Sequence, residues 1–224
     1  MSWPEAGHEP DSRLLVRAKA VVKVVDGFTS KPPLVPPAMR LQRLEGEAVM
    51  ELDWRPTLTL GGAVVFGALA NLGGTPTAER YRLLVDADDV LRPDQPDGYD
   101  IDVPGDPALW PVQVAVNLLP GPGYAFTPPL PVVRGLVLEP GPELQPVPDA
   151  VVVATKDVNR PEAERRAFAQ CRADHRGSFS LGLPGYRDSQ AVLFMATALD
   201  GATTPWQPLV AEDLKTSVHL TVRR

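Results

Sequence analysis

Between residues 132 and 199 the chain is written as short β-forming runs, with Gly, Pro or Asp at nearly every junction. Few folds accept such a pattern. Val132–Leu138 opens the stretch, a Pro-rich turn follows, and Pro148–Thr155, Cys171–Gly185 and Ala191–Leu199 come next. Phe179, Leu181 and Leu183 alternate with Ser178, Ser180 and Gly182, which gives one apolar and one polar face. Further on, Val218, Leu220 and Val222 alternate with Ser217, His219 and Thr221 ahead of Arg223-Arg224, as expected of a last strand at a sheet edge. Short strands with this punctuation read as an antiparallel sandwich. Only residues 161–169 break the pattern: Pro161 and then Glu, Ala and Arg predict a short helical turn between strands.

The amino-terminal half follows a similar plan less cleanly. Residues 1–13 read as a tail. Strands are predicted over Leu14–Val25, around Met39, Leu41 and Leu44, and over Ala48–Trp54. Between the first two, Lys31–Pro37 is an extended loop. Thr57–Leu69 reads as a hairpin about Gly61-Gly62 with Val64 and Phe66 on its buried face. Tyr81–Val85 is a further strand, Asp86–Tyr99 a charged loop, and Val112–Leu118 the closing strand. The two halves resemble diverged repeats: Val24-Val25-Asp26-Gly27 parallels Leu136-Val137-Leu138-Glu139, Gly62–Leu69 parallels Gly177–Leu183, and Tyr81–Val85 parallels Val192–Thr197.

Residues 119–131 hold five prolines and two glycines and predict an extended connector. Tyr124 and Phe126 stand at alternate positions in it. Left free they would forfeit burial, so they are expected to pack on a domain or on a partner, and with Trp110 they are the candidate interface residues. The expectation is therefore an all-β protein of two antiparallel, seven-stranded-type sandwiches of the immunoglobulin-like or transthyretin-like kind. Its division is a tail (1–13), a first sandwich (14–118), a Pro-rich connector (119–131) and a second sandwich (132–224).

Composition narrows the functions. The chain has 224 residues and 26 prolines; its formal charge of -6 argues against a nucleic-acid surface, which would need clustered Lys and Arg. The basic stretch Arg160–Arg176 is diluted by Asp157, Glu162, Glu164 and Asp174. A single cysteine, Cys171, allows no internal disulfide. The first ten residues lack the basic and apolar regions of a signal peptide, and no apolar run reaches the length of a membrane span, so synthesis in the cytoplasm is expected, with any export depending on something other than a standard signal.

Arg134-Gly135-Leu136-Val137, Pro146-Val147-Pro148-Asp149-Ala150-Val151-Val152 and Asp174-His175-Arg176-Gly177-Ser178-Phe179 together resemble the carboxypeptidase regulatory-like (transthyretin-like) β-sandwich. The resemblance covers roughly 130–222, and 16–118 more weakly. It implies a spacer, platform or interaction module with no catalytic residues to carry over. Val114–Phe126 leading into Val133-Arg134-Gly135 resembles segments of small proteins of contractile, phage-tail-like injection particles, in which a Leu-Pro-x-x-x-Tyr-x-Phe connector precedes such a sandwich.

Reactive groups are sparse. His8 lies in the tail, His175 in a turn and His219 on a strand's solvent face, and Cys171 with His175 lacks the second pair of ligands that zinc requires. No Gly-x-Ser-x-Gly occurs, and Ser178 near His175 has no orienting partner. The acidic stretches Asp86–Asp89 and Asp94–Asp102 have no Asp-x-Asp-x-Asp-Gly pattern for calcium and read as solvated loops. The enzymes of transthyretin-like fold are poorly matched: the chain ends Leu220-Thr221-Val222-Arg223-Arg224 where hydroxyisourate hydrolases have Tyr-Arg-Gly-Ser, and its histidines do not suit an intradiol dioxygenase. The reading is a non-enzymatic structural or adaptor protein that takes no cofactor or metal and assembles with other protein subunits. The alternative is a carbohydrate- or ligand-binding module in which Trp54, Trp110 and Trp206 stack on sugar rings.

Overall fold

A computed structural model describes residues 18–52, 57–59, 63–65, 77–86, 88–187 and 189–223. In the amino-terminal half the strands are β1 (Ala20–Asp26), β2 (Met39–Glu45), β3 (Ala48–Leu52), β4 (Thr57–Leu58), β5 (Ala63–Val65), β6 (Glu79–Val85), β7 (Leu91–Pro93), β8 (Tyr99–Val103) and β9 (Val112–Pro120). One sheet runs β4-β5-β1-β9-β7 and the other β3-β2-β6-β8. Alternation in the sequence dictates which face is buried: Ala20, Val22 and Val24 of β1 point inward, as do Val116 and Leu118 of β9. They meet Met39, Leu41, Tyr81, Leu83, Tyr99, Ile101 and Val103 from the opposite sheet in one apolar cluster.

The carboxy-terminal half holds β10 (Val132–Glu139), β11 (Gln145–Pro146), β12 (Val151–Thr155), β13 (Ala167–Arg172), β14 (Ser178–Gly182), β15 (Leu193–Thr197), β16 (Gln207–Pro208) and β17 (Ser217–Thr221). Here β10 is flanked by β11, β14 and β17, and the second sheet runs β13-β12-β15-β16. Val133, Val137, Phe179, Leu181 and Leu220 face Val152, Ala154, Cys171, Phe194 and Ala196 across the core. The β13–β14 turn is built by its sequence. Asp174 accepts the Arg176 and Ser178 amides on one carboxylate oxygen, at 2.8 and 2.9 Å. Gly177 takes φ +69 beneath the Val137 carbonyl, where a Cβ would stand 2.4 Å from that oxygen.

The fold is all-β and sandwich-like as expected, and the repeat is visible in its wiring. β1 pairs antiparallel with β5 and parallel with β9; β10 pairs antiparallel with β14 and parallel with β17. The sheet order β3-β2-β6-β8 has its counterpart in β13-β12-β15-β16. Two parallel pairs thus stand in sandwiches expected to be antiparallel, because each last strand closes beside its own first strand after the chain has crossed between sheets. The strands exceed the expected seven in each half through short ribbons such as β4, β7 and β11.

Four local expectations fail for identifiable reasons. Residues 161–169 form only a single 3-10 turn, Glu162–Glu164, before Ala167 enters β13, since pairing with β12 outweighs helix propensity. The charged loop 86–99 contains β7, paired to β9. Asp100 and Asp102 lie in strand β8, not in a loop. The inward Tyr99, Ile101 and Val103 hold β8 in the sheet, and the aspartates face outward opposite Arg82 and Arg80. β9 also continues past Leu118 to Pro120, into the expected connector, with Leu119 buried. Expectations at residues 1–17, Trp54, Gly61-Gly62 and Phe66 fall outside the described residues.

Candidate interaction site

The connector is a strap held from both sides. Its Gly121 and Gly123 amides donate to the carbonyls of Val90 and Asp89 at 2.8 and 2.7 Å. From the second sandwich, the Ser180 hydroxyl donates to the Pro122 carbonyl at 3.0 Å, and the Leu183 amide donates to the Pro131 carbonyl at 2.9 Å. Tyr124 and Phe126 both turn onto the chain itself. The Tyr124 hydroxyl donates to Asp26 Oδ2 at 2.7 Å. Burial, and then that carboxylate, push the phenol well above its ordinary pKa. Asp26 is also fixed from behind: its Oδ1 accepts the Phe28 amide at 2.8 Å and the Thr29 amide at 3.3 Å, which closes the turn after β1.

Phe28 completes an aromatic triad. Its ring centroid lies 5.7 Å from that of Tyr124 and 5.1 Å from that of Phe126, both edge-on, and Tyr124 and Phe126 are 4.7 Å apart. Phe126 then reaches the second sandwich at Gly182, where a Cβ would come within 2.4 Å of the ring. The triad therefore joins β1's turn, the strap and β14. Trp110, the third candidate, stands apart. Its indole N–H donates to the Pro104 carbonyl at 2.8 Å, its ring lies 5.4 Å from the Lys19 ammonium, and it packs on the first core.

Beside the strap, two buried arginines cross between the sandwiches. Arg92 of β7 meets Asp149 at 2.7 Å. Arg172 of β13 donates to the Asp94 carbonyl at 2.7 Å, while its Nε and Nη1 are buried with no hydrogen-bond partner among the described residues. Burial, with the neighbouring Arg92, lowers the Arg172 pKa despite Asp149 and Asp94. Tyr99 donates to Asp94 in the same cluster, and burial and that carboxylate raise its pKa. Neither arginine stands out in the sequence, since a basic residue within a strand gives no local sign that it will be buried.

On the outer side of the strap lies an apolar groove of about 650 Å³, lined by Pro33, Leu34, Val35, Pro36, Pro37, Val90 and Leu91, with Asp26, Asp86 and Asp88, Tyr124 and Ala125. Leu34 is fully exposed and Val35 78% exposed. Asp86 Oδ1 accepts from Arg40 at 3.2 Å, and Asp88 Oδ1 accepts the Val90 and Leu91 amides at 2.8 and 2.6 Å. The sequence marked 31–37 as an extended loop; which side chains it leaves uncovered depends on strands distant in sequence.

The remaining candidates are placed singly. Cys171 is buried in the second core, and burial pushes its thiol pKa far up, away from reactive thiolate. His175 is exposed in its turn beside Arg176, and His219 is exposed on β17. Among the described residues no group of three or more His, Cys, Asp or Glu is arranged to hold a metal ion. Asp100 and Asp102 are engaged with Arg82 and Arg80 at 2.8 and 3.0 Å. The Asp100–Arg82 hydrogen bond holds the Asp100 carboxyl below its usual range. No described helix is long and apolar enough to cross a membrane.

No family model matches the chain, and no curated protein matches it. Three solved structures are distantly similar. A DUF3823 family protein from Bacteroides uniformis is 10% identical over 84% of this chain and 89% of its own, with a TM-score of 0.32. A streptococcal ancillary pilin is 12% identical over 93% and 63%, with a TM-score of 0.33. The SpaE basal pilin from Lactobacillus rhamnosus is 10% identical over 92% and 99%, with a TM-score of 0.26. The sandwich assignment rests on this chain's own sheets, not on these scores.

Proposed function

We propose that the chain is a non-enzymatic structural adaptor that joins other protein subunits, made in the cytoplasm and associated with a contractile, phage-tail-like injection particle. The observation that carries the adaptor reading is the strap. The Tyr124–Asp26 hydrogen bond at 2.7 Å and the contact of Phe126 on Gly182 hold two sandwiches in one orientation. That rigidity suits a spacer or platform, and the exposed Leu34–Val35 loop beside it offers a surface to a neighbour. We take 14–118 and 132–224 as the two domains. The particle assignment is supported by the residues of the strap itself, and the regulatory-like assignment by Gly135, Asp174, Gly177 and Phe179 in the second sandwich.

The carbohydrate reading is weaker. The Trp110 ring is paired with Lys19 and the Trp206 ring with Arg165, whose guanidinium carbon lies 5.2 Å from the centroid, so cations already stand over both rings. The test is affinity purification of the tagged chain from its native host, with quantitative mass spectrometry. Enrichment of tube, sheath or baseplate proteins is expected. Recovery of the chain with no stoichiometric protein partner would remove the adaptor reading, and partners unrelated to such particles would remove the particle assignment alone.

A further inference from the structure

The groove beside the strap has a shape and charge that specify an occupant. Its lining is mostly aliphatic and proline, it includes the carboxylates Asp26, Asp86 and Asp88, and no described Lys or Arg lines it. Asp26 is saturated by Tyr124 and two backbone amides. Asp86 and Asp88 differ: each uses one carboxylate oxygen within the fold, to Arg40 and to the Val90 and Leu91 amides respectively. Such a groove suits an extended segment of aliphatic side chains flanked by basic ones, with the prolines already fixing the receiving surface. Arg13-Leu14-Leu15-Val16-Arg17 in this chain has that composition.

A molecule cannot fill its own groove with that segment. Lys19 precedes β1 at the end paired with Val112, whereas Asp26, which lines the groove, closes β1 at the end paired with Leu118. The length of β1, about 20 Å at 3.3 Å per residue, separates them. Val16 and Leu14 stand three and five residues before Lys19 and reach at most about 11 and 18 Å from it fully extended, so a turn back along β1 leaves both short. We propose that the groove receives residues 13–17 of a second copy, with Leu14 and Val16 against the Leu34–Val35 wall and Arg13 and Arg17 facing Asp86 and Asp88. Donor and acceptor are different surfaces at opposite ends of β1, an arrangement that allows copies to join head to tail or to exchange segments in a closed pair. This deepens the adaptor reading and rests on it.

The test measures self-association of the full chain by sedimentation velocity over a concentration series, with a fluorescently labelled Pro10–Lys19 peptide as an independent probe. Concentration-dependent oligomers that weaken with salt are expected, as is saturable peptide binding. Leu34→Asp, at a fully exposed position that leaves the core untouched, should weaken both by roughly tenfold or more. Asp86→Lys should weaken both, and pairing it with Arg13→Glu, in the chain and in the peptide, should restore them. A full chain that stays monomeric at every concentration, peptide binding indifferent to Leu34→Asp, or a charge exchange that restores nothing would overturn the proposal. A strictly monomeric chain that still recovers particle subunits from its host would end the self-association inference and leave the adaptor reading standing.

Discussion

The contact between Phe126 and Gly182 makes a sharp test of whether the strap fixes the sandwiches. A Cβ at residue 182 would lie 2.4 Å from Phe126 Cε1 and 2.9 Å from a Leu130 methyl. The methyl is the end of a flexible side chain and gives way, but the ring is held by Phe28 and Tyr124. Gly182→Ala therefore overpacks the junction and should cost about 1–3 kcal/mol. Phe126→Ala removes most of a partly buried ring and two edge contacts, which amounts to about 2–4 kcal/mol. In the Phe126→Ala background the clash is gone, and alanine within β14 should be neutral or favourable by about 0.5–1 kcal/mol over glycine. The double variant should then be more stable than additivity allows, by about 1–3 kcal/mol. Urea unfolding of the four proteins in this cycle measures the coupling. Additive losses within about 0.5 kcal/mol would show that ring and glycine do not meet in solution, and the docked strap would fall with them.

Asp149→Asn should cost about 1–3 kcal/mol in urea unfolding, because it leaves the buried Arg92 without its 2.7 Å carboxylate partner. Arg172→Met should be neutral or stabilising in the same assay, since the guanidinium it removes is buried with two nitrogens lacking a partner among the described residues. Lys19→Met should cost about 3–5 kcal/mol, because Lys19 and Glu79 form an ion pair with side chains only 3% and 9% exposed. Glu79 is the acid-sensitive group of that cluster. Burial raises its pKa, but Lys19, Tyr81 and Arg43 outweigh that and lower it, so its stabilising contribution is present above its unfolded pKa and lost as pH falls. The opposite limb belongs to Tyr81, Tyr99 and Tyr124, whose pKa values are all raised, burial being the first cause. Their contribution is complete below the unfolded value of about 10 and declines above it. Urea midpoints measured between pH 9 and 11 should fall steeply, and Tyr124→Phe should make that fall shallower; a midpoint flat across the range would contradict the buried phenols.

What the sequence made legible was whatever period and turn chemistry encode locally. Phe179-Ser180-Leu181 alternates and becomes β14; Asp174 and Gly177 carry turn chemistry and build the turn before it. The same logic hid β8. Tyr99-Asp100-Ile101-Asp102-Val103 alternates as well as any strand here, yet its aspartates read as a loop because Arg80 and Arg82, which stand opposite them, lie in another segment. Pairing of an acidic strand with a basic one is a property of two segments, and neither segment alone displays it. The parallel closure of β1 on β9 and of β10 on β17 is beyond local reading for the same reason.

The site was harder to read because its contacts span the chain. Tyr124 bonds to Asp26 across 98 residues, Arg172 to Asp94 across 78, and Arg92 to Asp149 across 57. Two aromatics in a Pro-rich stretch imply that Tyr124 and Phe126 must be covered, but not by what. Phe28 had one local sign, since Asp26-Gly27 ends β1 in a turn and a bulky residue just past such a turn is placed at a sandwich edge. The groove follows from the strap in turn. Tyr124 and Ala125 line it because the strap is docked, and Leu34, also in its lining, is left uncovered. A perturbation that undocks Phe126 should therefore also weaken whatever binds at Leu34, although Phe126 does not line the groove. Peptide binding measured in Phe126→Ala would show this coupling as a loss of affinity, and unchanged affinity would mean that the wall stands without the strap.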